Sequence, residues 1–391
     1  MSKFKMAALV SAICLMGALF YGLVVSSQTP QPAVRLITEP AISQILPFEA
    51  EASASPSPVR LTLQAVDAAG KRLENAKIHL QILTPPKNPW LPTDFPLVEG
   101  TELLNIEAVA PKGELQIQQM LPIRGNYQLL VEVTPIVANA FTPIQQILTV
   151  SVPESWVKYR NFGILAVILL VLGLGGGLVM GGQQQIQLGE IAPQRVRLLL
   201  SGAIIVAIAS LLIVNISAEL AESHTHEHHS HEHHSQAKEP AVLQSQGVEA
   251  RILGDEQASV GQPAKLAVQV INTTTGQPAE DVILNIQATQ AEDEWVAFAY
   301  QGVTDAKGQL MWEQQFFDGA PHKVAVDVSP QPQATRQFSP LRVAKEIEVE
   351  GVAPPLQVRL IVLAYFTSII VLGLVIGLQL RRHSVWRYKN Q

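Results

Sequence analysis

The chain has 391 residues, of which 48% are hydrophobic and only 15% charged, against about 25% charged in an ordinary soluble domain. A formal net charge of −6 excludes the strongly basic face of a nucleic-acid binder, so no nucleic-acid partner is expected. The single cysteine, Cys14, excludes an internal disulfide and any metal cluster that needs two or more thiolates.

Four apolar stretches free of charged residues lie at about 6–25, 162–182, 198–217 and 360–380. Each approaches the ~20 residues that cross ~30 Å of hydrocarbon, which predicts a membrane protein with four transmembrane helices embedded in a lipid bilayer. Lys3 and Lys5 precede the first stretch, Arg195 and Arg197 lie between the second and third, and Arg381, Arg382, Arg387 and Lys389 follow the fourth. The positive-inside rule then places both termini and the 183–197 loop in the cytoplasm. The segments 26–161 and 218–358 fall outside it, with Lys158, Arg160 and Arg359 as exceptions on the outer side. The resulting map is a span or signal anchor at 1–25, an outer domain at 26–161, a span at 162–182, a cytoplasmic loop at 183–197 and a span at 198–217. A histidine-rich linker at 218–239, a second outer domain at 240–358, a span at 359–380 and a cytoplasmic tail at 381–391 complete it. For the first stretch a cleaved signal peptide is the alternative, because Val25-Ser26-Ser27 offers small residues at a cleavage position.

The two outer segments repeat one another. Lys112-Gly113-Glu114-Leu115 through Val131-Glu132-Val133-Thr134-Pro135 aligns without a gap on Lys307-Gly308-Gln309-Leu310 through Val326-Asp327-Val328-Ser329-Pro330. Upstream, Leu61 to Asp67 matches Leu266 to Asn272, and Gly173 and Gly177 of the second apolar stretch recur as Gly373 and Gly377 of the fourth. Three ordered matches indicate an internal duplication. Period-two alternation in short runs broken by Gly, Pro and Asn predicts that each outer domain is an antiparallel β-sandwich of about seven strands, immunoglobulin-like, with little helix. The Pro-rich 84–96 stretch reads as a long loop.

The strongest chemical signal is His224, His226, His228, His229, His231, His233 and His234, interleaved with Glu227 and Glu232: seven of the ten histidines within eleven residues. Neutral imidazole is a common ligand for nickel, cobalt, zinc and copper, and a dense array supplies several ligands without a preformed pocket. The competing reading is a solvated spacer. His229 to His233 also fits an H-x-x-E-H zinc-peptidase pattern, but a repetitive run produces such matches by accident and lacks an ordered surrounding shell. His322, at the entry to a strand, is either a further ligand that collects metal delivered by the linker or a satisfied turn histidine; Tyr127 stands at its aligned position. Glu292-Asp293-Glu294 reads as a solvated acidic loop. Residues 236–355 carry 16 acidic and 8 basic residues against 12 and 10 in 26–161, so the second copy holds the negative surface that concentrates cations.

Gly173 and Gly177, with Gly373 and Gly377, form stripes that let helices approach closely in lipid, either within the chain or in a homo-oligomer. The apolar stretches contain no Asp, Glu, Lys, Arg or His, which argues against a transporter acting alone.

Gly308-Gln309-Leu310 and Gly319-Ala320-Pro321-His322-Lys323-Val324-Ala325-Val326-Asp327-Val328 resemble the small periplasmic domains of the YtkA-like type, found in bacterial membrane proteins, some of them beside metal-handling systems. The resemblance covers about 110 residues of the second copy and less of the first, which lacks the histidine and the Ala-Pro step. It implies a β-sandwich, a place in the bacterial cytoplasmic membrane and an accessory role in metal handling. With no nucleophile elbow, Walker loop or separated acid–base set, a binding protein is expected ahead of an enzyme. The expected function is capture of a transition-metal ion for, or sensing with, a partner membrane transporter. The alternative is an assembly protein whose outer domains dock on a membrane complex, with the histidine run as spacer.

Overall fold

The computed structural model describes residues 31–48, 57–181, 241–280, 282–332, 334 and 337–389, with positions 196 and 202. In the first copy seven strands follow one another: β1 (Ala33–Glu39), β2 (Val59–Val66), β3 (Ala76–Leu83), β4 (Glu102–Ala110), β5 (Glu114–Gln119), β6 (Gly125–Pro135) and β7 (Ile144–Val152). Helix α1 (Trp156–Met180) leaves this copy. The second copy holds β8 (Val242–Ser245), β9 (Val248–Gly254), β10 (Gln257–Ser259), β11 (Pro263–Asn272), β12 (Val282–Gln290), β13 (Val296–Val303), β14 (Gln309–Gln315), β15 (His322–Pro330) and β16 (Leu341–Glu350). Helix α2 (Leu356–Lys389) leaves it in turn.

Alternation drives these strands. In β3 the side chains of Ala76, Ile78, Leu80 and Ile82 are buried while Lys77, His79 and Gln81 are partly exposed, so one face of the pleat packs inward. The two copies share their pairings: β1–β2–β5 and β4–β3–β6–β7 in the first, β9–β11–β14 and β13–β12–β15–β16 in the second. Equivalent residues face one another, with Leu61 opposite Ile117 and Leu266 opposite Trp312. The Lys-Gly turn is common to both. Gly113 and Gly308 adopt φ of 67° and 65°, a left-handed conformation that a Cβ disfavours.

The copies are not two free-standing sandwiches, and this corrects the expected fold class. Strand β5 of the first pairs with β13 of the second, Gln118 opposite Ala299. Reciprocally, β14 of the second pairs with β4 of the first, Glu313 opposite Asn105. Because β14 is the counterpart of β5 and β4 of β13, the exchange is two-fold in pattern, and a bridge between Val109 and Val303 lies between the ladders. All sixteen strands thereby join one hydrogen-bonded sheet system. The physical reason lies in the edges: a seven-stranded copy alone would leave the outer N–H and C=O groups of β4 and β5 unpaired, and mutual pairing removes both edges.

The second correction concerns the helices. Four spans were expected, and two helices stand among the described residues, both long and apolar enough to cross a membrane. The stretch at 6–25, and that at 198–217 apart from position 202, lie outside the described residues. The two helices also begin earlier than the apolar runs. α1 starts at Trp156 because the Ser155 hydroxyl accepts from the Val157 N–H at 3.3 Å, which satisfies one of the free donors at a helix start. α2 continues to Lys389, since the basic residues after 380 are good helix formers and nothing there breaks the turn.

The glycine stripes bring α1 and α2 together in parallel register. A Cβ added to Gly173 would run into the Ile370 carbonyl, one on Gly177 would overlap the Leu374 carbonyl and lie 3.0 Å from the Gly377 Cα, and one on Gly373 would overlap the Leu170 carbonyl. Gly175 and Gly176 have nothing within 4 Å of that position. Both stripes are thus occupied within one chain.

Candidate functional site

The histidines of the 224–234 run and the glutamates among them, Glu227 and Glu232, lie outside the described residues. The chain rejoins the β body at Val242 of β8, eight residues beyond His234. Among the described residues β8 is an outer strand, paired with β9, so the chain re-enters the body at an edge.

His322 opens β15 and is fully buried. Its Nδ1–H donates to the Ala320 carbonyl at 2.7 Å, while the ring sits 4.4 Å from Phe316 and 5.7 Å from Trp295, centroid to centroid. Burial drives its pKa down to about 4, against a smaller upward push from the Ala320 hydrogen bond. The imidazole is therefore neutral at pH 7. Tyr127 does the same work in the first copy: its hydroxyl donates to the Ile123 carbonyl at 2.8 Å and accepts from the Ile123 N–H at 2.9 Å. Burial raises that phenol. Both side chains tie a strand start to the turn before it. Nδ1 of His322 is thus satisfied by the turn, while Nε2 is buried with no hydrogen-bond partner.

No group of three or more His, Cys, Asp or Glu is placed to hold a metal ion among the described residues, which corrects the metal-binding expectation for the described body alone, since residues 224–234 lie outside it. The Asp318 carboxyl is pushed up first by burial and then by Glu292 and Asp293.

His322 yields a stability prediction with a definite sign. Above the unfolded pKa of about 6.5 the ring is neutral in both states and its contribution is complete. Below that value the unfolded chain takes a proton that the folded chain refuses until about pH 4, so stability falls as pH falls through this window, by roughly 3 kcal/mol in all. Denaturant midpoints measured from pH 7.5 to 4.5 should drop more steeply for the natural chain than for His322→Phe. Parallel profiles would contradict the assignment.

Sequence reasoning missed the seam between the copies. Phe48, Val98 and Met120 of the first copy pack with Trp295, Ala297 and Phe317 of the second as a separate buried cluster. Phe48 lies 4.8 Å from Trp295 and 5.1 Å from Phe317, ring to ring, and Trp295 stacks on Phe317 at 21°. The Met120 N–H donates to the Ala297 carbonyl at 2.9 Å, and the Thr101 hydroxyl reaches the Gln315 side chain at 3.0 Å. These residues are scattered along the chain with no shared period. A hint lay in the phenylalanines that follow Gln315 where the first copy has Leu121-Pro122.

No protein-family profile matches the sequence, and no curated protein matches it. Similarity to solved structures extends to Yersinia pseudotuberculosis adhesin InvE, at 12% identity over 82% of this chain and 61% of that chain, with a TM-score of 0.18. It extends also to dimeric latent PorU from Porphyromonas gingivalis, at 10% identity over 83% of this chain and 25% of that chain, TM-score 0.23. Salmonella alpha-2-macroglobulin reacted with methylamine gives 8% identity over 82% and 16%, TM-score 0.20. The chain spans less than two thirds of each of these proteins, and likeness at these TM-scores supports no statement about function.

Proposed function

We propose that this chain is a membrane-anchored binding protein that captures transition-metal ions (nickel, cobalt, zinc or copper) outside the cytoplasmic membrane of a bacterium and serves a partner transporter. The helix pair is the anchor, the double β body the outer platform, and the histidine run the ligand array. The observation that carries this reading is the array itself, seven imidazoles and two carboxylates within His224 to His234, attached eight residues from the edge strand β8. Body and array divide the labour: the buried His322 closes a turn, and the linker residues supply exchangeable ligands.

Titration calorimetry on the purified full chain tests it. Binding requires neutral imidazole, so affinity should fall as pH drops from about 7.5 to 5.5, through the ordinary histidine pKa of about 6.5. Replacing all seven histidines by Asn should remove most binding. His228→Asn alone should change it less than about twofold, because the array offers many equivalent ligand sets. His322→Asn should leave binding unchanged. If the natural chain binds none of the four metals at neutral pH, the docking protein with a histidine spacer becomes the better account.

A further inference from the structure

The loop from Thr84 to Thr101 has no counterpart of its length in the second copy, where the matching strands β12 and β13 are joined by only 291–295. It carries Pro85, Pro86, Pro89, Pro92 and Pro96 and ends in a shaped tip. The Asn88 side chain accepts from the N–H of Trp90 at 3.0 Å and of Leu91 at 3.2 Å. Its base is held firmly. Phe95 packs on Phe48 and Phe317, the Thr93 N–H and hydroxyl donate to Glu99, and Asp94 pairs with Lys158 of α1. At the tip, Trp90 is 72% exposed and Leu91 58%. A rigid turn with two large apolar side chains facing outward calls for an apolar partner.

The position of the tip identifies that partner. The Tyr365 hydroxyl of α2 donates to the Trp90 carbonyl at 2.7 Å. Tyr365 lies six residues beyond Arg359, the last charge before the apolar run, which at about 1.5 Å per residue is ~9 Å into it. Exposed Trp156 and Tyr159 stand at the corresponding end of α1. Where aromatic side chains with one polar atom gather near the end of an apolar helix pair, they match the boundary between headgroups and acyl chains of a bilayer. The five prolines lack N–H groups, which lowers the cost of taking this backbone out of water.

We propose that the 84–96 loop is a lipid-inserted foot, with Trp90 and Leu91 seated in the outer leaflet beside α2, fixing the β body against the membrane surface. The proposal rests on the helices being membrane spans. It is tested on the full chain with Cys14→Ser, carrying one NBD-labelled cysteine at Leu91, at Val371 of α2, or at Thr274. Thr274 is exposed in the β11–β12 turn, at the end of β12 opposite the one that pairs with His322. All three sites are exposed, so no core contact is lost. The labelled chains are reconstituted into phosphatidylcholine–phosphatidylglycerol vesicles containing phospholipid with a nitroxide near the headgroup or deep in the acyl chain. The expected result is loss of about half or more of the Leu91 emission to the shallow quencher, of the Val371 emission to the deep one, and of neither at Thr274. Quenching at Val371 with Leu91 behaving like Thr274 overturns the foot and leaves the spans standing. Quenching at neither site overturns both. A Leu91 label shielded from lipid and from aqueous iodide alike would mean that protein covers the tip, and overturns the lipid assignment.

Discussion

Gly177→Leu combined with Gly377→Leu should separate α1 from α2, whereas Gly176→Leu, one residue away on the same helix, should be tolerated. At Gly177 and Gly377 even a methyl group meets the facing helix backbone, and each glycine's added Cβ would lie 3.0 Å from the other's Cα. Backbone cannot give way as a flexible side chain can. At Gly176 the same atom meets open space. In lipid no hydrophobic drive holds two helices together, so close packing and the contacts it permits carry most of the association. Overpacking of this kind costs about 2 kcal/mol, roughly a 30-fold shift from packed to separated helices. Oxidative cross-linking between cysteines at Leu174 and Leu374, in a Cys14→Ser chain, should fall accordingly in the double variant and hold in Gly176→Leu. Equal cross-linking in both would mean that the stripes do not set the approach.

The duplication was legible because it is written in residues whose local chemistry is demanding. The Lys-Gly turns need glycine at positive φ, and the strands around them alternate strictly enough for Leu61 and Leu266 to be matched before any pairing is known. The glycine stripes were legible for the same reason, since close approach tolerates no side chain. What was not legible is which strand edges meet. β4, β5, β13 and β14 read as ordinary half-buried strands, and nothing in their alternation distinguishes an edge that faces water from one that faces the other copy. The aromatic seam was hidden because Phe48, Trp295 and Phe317 are brought together only by that pairing. His322 was open between two readings in the sequence. Aligned with Tyr127, it shares with that residue a hydrogen bond to the backbone of the preceding turn. An imidazole and a phenol can do one structural job, and only the placement of their polar atoms reveals it.

Expressed alone, residues 31–153 of the first copy should form a dimer, although the same residues in the intact chain have their edges filled. Separation from the second copy strips the partners from β4 and β5 and uncovers Phe48, Val98 and Met120, which are buried against Trp295, Ala297 and Phe317. An unpaired apolar edge is a template for another strand, and here the pattern of exchange is already two-fold: β5 reaches the counterpart of β4, and β4 the counterpart of β5. Two identical first copies can therefore repeat both ladders, β5 of each against β4 of the other, as an isologous pair. Sedimentation at tens of micromolar should give a two-chain species. Gln118→Pro, which removes an N–H from the middle of the β5 ladder and places a ring there, should shift it towards monomer. A monomeric natural fragment at that concentration would show that the edges are satisfied within one copy, and that the pairing between copies follows from their tethering rather than from the chemistry of β4 and β5.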